Sequence, residues 1–329
     1  MSIKLSRSGL LVAEDLPLRA LLEFPDTLLR GVGQVMLQDN AYAGLLFLIG
    51  IFFNSVLFGF AVALGATVST ATAILLGADK ALVRAGMYGF NGALVAVALL
   101  YFLRPDALTW VCVIFASGTS SIVMAARQTL LKTWKIPALT APFVFTSLCF
   151  FLAIARFGRL HSTHLLPTAG LPSSATVEGV VDASTLMQGL FNGVAQVFFQ
   201  GSVLTGVIFV AGLAISSRVA CATALAGSLT GLLVAWGMGA AETAIRSGAF
   251  GFNSVLTAIA LGSVFLAPTI GSLAYGAIAV VTTSFVYAAI SAALEPLGMP
   301  ALTLPFVLVV WSFMLAAPGF FRTPLRASA

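Results

Sequence analysis

Long apolar segments, separated by short polar stretches, run along almost the whole chain. Each segment has about 15–21 residues and is rich in Leu, Ala, Gly and Phe, while a helix needs roughly 17–25 apolar residues to cross a bilayer. The pattern predicts ten membrane-spanning helices, near residues 41–57, 59–77, 87–103, 108–126, 138–156, 203–217, 219–238, 249–266, 271–291 and 301–318.

Two further segments, at about 25–38 and 187–200, are too short and too polar to cross a bilayer. Non-helical backbone at membrane depth is tolerated where the protein itself buries it. We therefore predict that each of these segments is a half-membrane re-entrant helix, which enters the bilayer and returns on the same side.

The chain contains an internal duplication. Gly31–Leu99 aligns without a gap on Gly193–Leu261, at an offset of 162 residues, and Pro137–Phe145 matches Pro300–Leu308 one residue later. Each copy therefore holds five of the predicted spans and one re-entrant helix. Membrane proteins built from two repeats usually place their substrate path where the repeats meet.

Because five spans is an odd number, the second copy is expected to cross the membrane in the opposite sense. The loop with Arg127, Lys132 and Lys135 corresponds to a loop with Glu295 and no Lys or Arg, and basic residues gather in cytoplasmic loops. This predicts an inverted repeat in a cell membrane (plasma or bacterial inner), with both termini cytoplasmic. The expected organisation is an N-terminal cytoplasmic segment (1–17), a first repeat (18–157), an extracytoplasmic linker (158–184), a second, inverted repeat (185–320) and a C-terminal cytoplasmic tail (321–329).

Composition agrees with a lipid environment. Hydrophobic residues make up 60% of the 329 positions and charged residues only 8%, whereas a soluble protein carries about 25% charged residues. The apolar runs are too long and continuous for the alternating strands of a membrane barrel. The expected fold class is an all-α polytopic membrane protein with two inverted repeats of five transmembrane helices each, plus one half-membrane re-entrant helix per repeat.

The net charge of +5 does not indicate a nucleic-acid partner, because no Lys/Arg cluster is interleaved with stacking aromatics. Two histidines in the linker, His161 and His164, lack a third metal ligand, and the three cysteines lie singly in apolar segments without metal spacing. We expect no metal, no other cofactor and no enzymatic activity, since no nucleophile, base or ligand set lies within the spans.

Four short elements recur in both copies: Q-V-x-[LF] at 34–37 and 196–199, G-F-N at 89–91 and 251–253, a leucine at 94 and 256, and L-T-x-P-F at 139–143 and 302–306. Buried Gln and Thr serve either as interhelical hydrogen-bond partners or as a polar path. Because these residues recur in both copies beside helix-breaking Gly and Pro, the sequence favours a polar path for a solute. Amide and carbonyl oxygens between apolar rings suit a small, flat, uncharged solute with N–H donors, because dehydrating an ion at a neutral site is costly.

At these motifs the sequence resembles the urea transporter family, over roughly residues 18–320. The resemblance implies passive, channel-like facilitated diffusion of urea through each protomer of a homotrimer in membrane lipid. By position it implies two hydrogen-bonding glutamines, slot walls of Phe and Leu, and a narrow middle. The pore residues carried over are Gln34, Val35, Leu37, Phe90, Leu94, Thr140, Gln196, Val197, Phe199, Phe252, Leu256 and Thr303. Leu37 departs from the pattern, because its repeat partner is Phe199 and the family aromatic is expected there.

Other readings stay open at the level of sequence. A channel for another small neutral solute, such as a short amide, water or ammonia, would use the same kind of path. A water channel of the NPA type is not indicated, because none of the motif asparagines precedes Pro-Ala. A coupled transporter also uses inverted repeats, but coupling usually requires an ionisable group at depth. Asp39, the one acid near the motifs, is expected to mark the membrane surface.

Overall fold

The computed structural model describes residues 8–9, 16–154, 156–172, 178–267 and 269–320, and every regular element within those ranges is a helix. The tail predicted at 321–329 lies outside the described residues, as do residues 1–7 and 10–15 of the predicted N-terminal segment. The all-helical class predicted from composition is therefore confirmed for the part of the chain that is described.

The helices form two series that follow the duplication. The first series is α1 (Leu16–Gln34), α2 (Ala41–Asn54), α3 (Val56–Leu75), α4 (Lys80–Arg84), α5 (Gly89–Phe102), α6 (Ala107–Leu131) and α7 (Ala141–Ile154). The second series is α8 (Ala183–Ala195), α9 (Val203–Ser216), α10 (Arg218–Gly237), α11 (Glu242–Arg246), α12 (Phe252–Ile259), α13 (Ile270–Leu294) and α14 (Leu304–Phe320). The second, third and fourth helices of the two series begin and end 162 residues apart.

Four helical segments among the described residues are long and apolar enough to cross a membrane: Val56–Leu75, Ala107–Trp134, Arg218–Gly237 and Ile270–Leu297. A fifth arises if Ala183–Phe198 and Val203–Ser216, which are bent by 73° at a short break, count as one broken span. The remaining apolar helices are shorter. The 14 residues of α2 extend about 21 Å, less than the ~30 Å hydrocarbon core, so the count of ten spans stays a prediction.

The two predicted re-entrant segments correspond to helices with different bounds. α1 begins at Leu16 and continues through Pro25, the residue near which the sequence pattern placed its start. α8 begins at Ala183 because the Asp182 carboxylate accepts a hydrogen bond from the Thr185 backbone N–H at 2.7 Å and caps the first turn. Both helices end at or just before the repeated glutamine, earlier than the predicted ends.

Two later helices also begin after their predicted positions. α7 begins at Ala141 and α14 at Leu304, each three residues downstream of the predicted starts at 138 and 301. The cause is the backbone of Leu139 and Leu302, which have φ values of 52° and 50°. A residue in the left-handed region cannot continue a right-handed helix.

The chain divides into two compact units. The first contains residues 1–130, 142–165 and 211–216, and the second contains residues 131–141, 166–210 and 217–329. The units therefore do not coincide with the two copies in sequence, because each copy contributes one short segment to the unit formed mainly by the other. Thr140, from the first copy, belongs to the second unit.

One helix lies at the centre of each unit. Residues 89–100 of α5 are all buried, as are residues 253–259 of α12, which is typical of a helix that is apolar on every side. Large side chains at the periphery are exposed, among them Leu75 and Ile270 at 84% and 90%. Lipid would cover such side chains in a membrane protein.

Glycine permits the close approach of the first helix of each series to the central helix. A Cβ on Gly31 would lie 3.2 Å from Gly89 Cα, and one on Gly251 would lie 2.8 Å from Gly193 Cα. Gly86, just before α5, has φ of +75°, and a Cβ there would overlap the backbone nitrogen of Gly31. This contact fixes the end of α1, which carries Gln34, against the start of α5.

We expect Gly86→Ala to lower the thermal stability of the detergent-solubilised protein far more than Gly77→Ala. Both positions have positive φ, +75° and +77°, but Gly77 has no atom within 4 Å of its would-be Cβ. Each variant incurs about 1–2 kcal/mol of backbone strain, and Gly86→Ala adds about 1–3 kcal/mol of steric overlap. Equal shifts in melting temperature would show that the α1–α5 contact is not critical.

Candidate functional site

Each repeated Q-V-x-[LF] motif forms a tight turn at a helix end. Leu37 N–H donates to Gln34 O at 2.9 Å and Gln38 N–H to Gly33 O at 3.1 Å; in the second copy Phe199 N–H donates to Gln196 O and Gln200 N–H to Ala195 O. This is the Schellman pattern, in which the residue in the left-handed region is usually glycine. Here it is Leu37 and Phe199, both with φ of 59°.

Backbone strain of this kind concentrates at functional sites. Six described non-glycine residues have positive φ, and four of them, Leu37, Leu139, Phe199 and Leu302, lie in the repeated motifs. The strain is held in place by side chains that bond the turn. Gln38 Nε2 donates to Met36 O at 2.8 Å and Gln200 Nε2 to Phe198 O at 2.6 Å, and both amides are buried.

Sequence reasoning assigned no role to Gln38 and Gln200. The signal that could have found them was already present, because each is the last residue of a repeated eight-residue block, GVGQVMLQ and GVAQVFFQ. A glutamine retained at the same place in two diverged copies indicates a shared local function, here closure of the turn.

Gln34 has a fixed orientation in the first unit. Its Nε2 donates to the backbone oxygen of Ala85 at 2.9 Å. A carbonyl oxygen can only accept, so the NH₂ end of the amide must face Ala85. The Oε1 end has no donor among the described residues and is left as an acceptor for something else.

Gln196, the repeat partner of Gln34, is placed differently in the second unit. It is half-buried, and its side chain has no hydrogen bond to any described residue. The backbone oxygen of Arg246, the last residue of α11, accepts from Asn192 Nδ2 at 2.8 Å. The two glutamines therefore share a motif but differ in how firmly they are held.

The predicted wall residues lie on the same turns and on the central helices. Val35 and Val197 are each 1% exposed, Leu94 and Leu256 are fully buried, and Phe90 is 4% exposed. Leu37 and Phe199 are half-buried, as is Phe252, whose ring packs edge-on against Tyr287 with 5.7 Å between the ring centroids.

The predicted site residues are divided between the two compact units. The first unit contains Gln34, Val35, Leu37, Phe90 and Leu94, and the second contains Thr140, Gln196, Val197, Phe199, Phe252, Leu256 and Thr303.

Thr140 and Thr303 form the one direct side-chain hydrogen bond between predicted site residues within the described chain. Their hydroxyl oxygens lie 2.7 Å apart in the second unit, and the two residues are 2% and 3% exposed. Each threonine immediately precedes a helix, α7 or α14. A hydroxyl both donates and accepts, so this pair keeps hydrogen-bonding capacity beyond the bond they share.

The asparagines of the two G-F-N motifs cap these same helices from a distance. Asn91 Oδ1 accepts from Phe143 N–H at 3.0 Å, and Asn253 Oδ1 accepts from Phe306 N–H at 3.1 Å. Asn253 Nδ2 also donates to Leu302 O at 3.1 Å. The asparagines thus bond backbone groups that the helix breaks leave free.

Charged groups near the motifs are paired with opposite charges. Arg30, one turn before Gln34, reaches Asp26 at 2.7 Å and Asp39 at 2.6 Å. Asp39, which the sequence placed at the membrane surface, has a half-exposed side chain. In the second copy, a hydrogen bond from Thr185 holds the pKa of the Glu242 carboxyl below its ordinary value, and a hydrogen bond from Arg246 adds to this effect.

Within the described residues, no group of three or more His, Cys, Asp or Glu could hold a metal ion.

Comparison with known proteins bears on this arrangement as a whole. The family model described as "Urea transporter" matches residues 25–318, which include both copies of every motif described above. The chain belongs to the urea transporter family. Members of this family are multi-pass membrane proteins and transporters rather than enzymes.

Individual relatives in the urea transporter family match over most of their length. Urea transporter 1 of Rattus norvegicus is 30% identical over 311 residues, which cover 92% of this chain and 80% of the relative. Urea transporter 1 of Ovis aries and that of Capra hircus are each 29% identical with the same coverage. The resemblance deduced from the motifs is thereby confirmed.

Substitution of the two motif asparagines tests whether their hydrogen bonds stabilise the starts of α7 and α14. We expect Asn91→Leu to lower stability by about 1–2 kcal/mol, because Phe143 N–H loses its acceptor. Asn253→Leu should cost more, because it also leaves Leu302 O unbonded. Thermal unfolding in detergent measures both, with Thr119→Val as control, since Thr119 bonds only its own helix. Equal stability of all three variants would contradict the capping role.

Proposed function

We propose that the chain carries urea passively across a cell membrane, as a channel rather than a coupled pump. The observation that carries the proposal is the family match over residues 25–318, which spans both motif sets. The proposed path contains the twelve site residues named above, with one glutamine turn in each compact unit.

The chemistry of the first turn fits urea. The side-chain oxygen of Gln34 has no donor among the described residues, while its nitrogen is held by Ala85 O. Urea presents N–H donors around its rim and apolar faces, so a fixed oxygen beside Phe90 and Leu94 can replace part of its hydration. A cation would find no unpaired carboxylate here, because the carboxylates of Asp26 and Asp39 are ion-paired with Arg30.

The ion pairs of Arg30 with Asp26 and Asp39 also support passive transport. Coupling to protons usually requires an ionisable group at membrane depth. Asp39 is half-exposed and ion-paired, and the repeat partner of Asp39 is Gly201. The threonine pair supplies hydroxyls at the proposed narrow middle, and hydroxyls do not change charge at physiological pH.

The proposed architecture has two inverted repeats of five spans, each with a re-entrant helix, and three protomers in membrane lipid, with both termini cytoplasmic. Support comes from the matched helix series and from the 73° bend after α8. The homologous turns Lys132–Trp134 and Glu295–Leu297 differ in charge, as opposite sidedness would require. The trimer rests on the family resemblance.

A second candidate function is transport of other small neutral solutes, including short amides, water and ammonia. The observation that favours it is Leu37, which stands where the second copy has Phe199. A leucine presents less flat surface than a phenyl ring, so the first slot should discriminate less sharply between urea and related amides.

Urea flux through liposomes containing the purified protein, followed by stopped-flow light scattering, tests the proposal directly. Gln34→Met keeps the side-chain volume but removes the acceptor, so we expect urea flux to fall about tenfold, equivalent to ~1.4 kcal/mol. Gln128→Met, which alters a half-buried glutamine bonded to Tyr88, serves as control.

Two results would count against this function. Wild-type flux in Gln34→Met would remove the hydrogen-bonding role, provided that the control behaves as the wild type. Urea accumulation above the external concentration, when a proton or Na⁺ gradient is imposed on the same vesicles, would show coupling, because a channel can only equilibrate its solute.

The selectivity of the first slot is expected to sharpen in Leu37→Phe. The turn accepts phenylalanine, since Phe199 adopts the same φ of 59° in the second copy. A ring adds about 0.5–1.5 kcal/mol of stacking, so the urea-to-acetamide flux ratio should rise about threefold. Leu45→Phe, on an exposed position of α2, controls for added bulk. An unchanged ratio would show that residue 37 does not line the slot.

A further inference from the structure

Asn192, on α8, has an unbonded oxygen inside the protein. The residue is 7% exposed, and its Oδ1 is buried without a hydrogen-bond donor among the described residues. Its Nδ2 donates to Arg246 O at 2.8 Å, which fixes the amide, because a carbonyl oxygen accepts and cannot donate. A buried acceptor without a partner is rare and requires an explanation.

The nearest candidate donor in sequence is one turn away. Gln196 directly follows α8 with helical backbone angles, four residues after Asn192, so the two side chains lie on the same face of this last turn. A rotamer that leans toward the N-terminal end of the helix, as is usual for helical side chains, would bring the longer Gln196 side chain back toward Asn192. Gln–Asn pairs at this spacing form hydrogen bonds in helices.

No described residue holds the Gln196 side chain in one orientation. The residue is half-buried, and its side chain makes no hydrogen bond to the part of the chain that the structure describes. A Cβ built on Gly201 would lie 3.8 Å from Gln196 Nε2 and would have no other atom within 4 Å. The Gln196 nitrogen therefore lies near Gly201, and a bond to Asn192 requires a different rotamer of the Gln196 side chain.

The first copy fixes its glutamine in another way. There the Gln34 nitrogen is held by a backbone oxygen, that of Ala85. The residue that corresponds to Asn192 is Arg30, whose guanidinium is taken up by Asp26 and Asp39. In the second copy, Asn192 Nδ2 donates to the backbone oxygen of Arg246 at the end of α11, and the Asn192 Oδ1 is left as an acceptor.

We propose that Asn192 is a positioning residue for Gln196 in urea transport. After the change of rotamer, Gln196 Nε2 donates to Asn192 Oδ1, and this bond turns Gln196 Oε1 toward the N–H groups of the solute. The two glutamines then present the same end, an oxygen, although their nitrogens are held by different groups. The inference rests on the proposed function, since it assumes that Gln196 contacts urea.

A carboxylate at position 196 gives a sharp test, because it presents an oxygen whichever way it turns and needs no orienting partner. We expect Asn192→Leu to lower urea flux about fivefold when residue 196 is glutamine, the effect of about one hydrogen bond. In the Gln196→Glu background, the same substitution should change flux less than twofold. Flux is measured in proteoliposomes at several urea concentrations.

Two outcomes would overturn the positioning role. An equal loss in both backgrounds would mean that Asn192 acts independently of Gln196, either by bonding the solute itself or by supporting the fold. No loss in the protein with the native Gln196 would mean that the orientation of the amide does not depend on Asn192.

Controls separate the inference from folding and from the proposed function. Thr109→Val removes another buried side-chain oxygen, near the start of α6, and should leave flux unchanged. If Asn192→Leu is not monodisperse, Asn192→Ala removes the same oxygen without added bulk and is tested in both backgrounds. Wild-type flux in Gln196→Met would refute the proposed role of Gln196 itself, whereas dependence on Gln196 without dependence on Asn192 would refute only the positioning.

Discussion

Backbone polar groups that leave a helix inside a membrane must find partners within the protein, because lipid offers none. This chain breaks its helices at four related places and bonds the freed groups with side-chain amides. Gln38 and Gln200 close the turns after α1 and α8, while Asn91 and Asn253 cap α7 and α14. The candidate site exists because these amides stabilise strained turns at which leucine and phenylalanine adopt positive φ.

The duplicated turns have diverged in their surroundings more than in their own sequence. In the first unit an ion-paired arginine precedes Gln34, and a backbone oxygen holds the amide. In the second unit the equivalent helix face carries Asn192, followed by Gln196, whose side chain makes no hydrogen bond to any described residue. The amide of the first turn is therefore held by the backbone, whereas no described residue holds the amide of the second.

The helical class and the family could be predicted from the sequence, because apolar runs and repeated motifs are local properties. The starts of α7 and α14 could not, since nothing in the composition indicates that Leu139 and Leu302 leave the helical region. The Asn91–Phe143 and Thr140–Thr303 bonds join residues far apart in the chain, and repetition suggests shared roles without specifying contacts. The start of α1 was predicted too late in the chain, near Pro25, because proline usually interrupts a helix. The individual roles of the pore residues stay predictions.

The exchange of short segments between the compact units has a consequence for biogenesis. The first unit includes residues 211–216, and the second includes residues 131–141. During synthesis the first unit stays incomplete until the chain has passed residue 216, well into the second copy. Separately produced halves of the chain would each lack a segment of one compact unit.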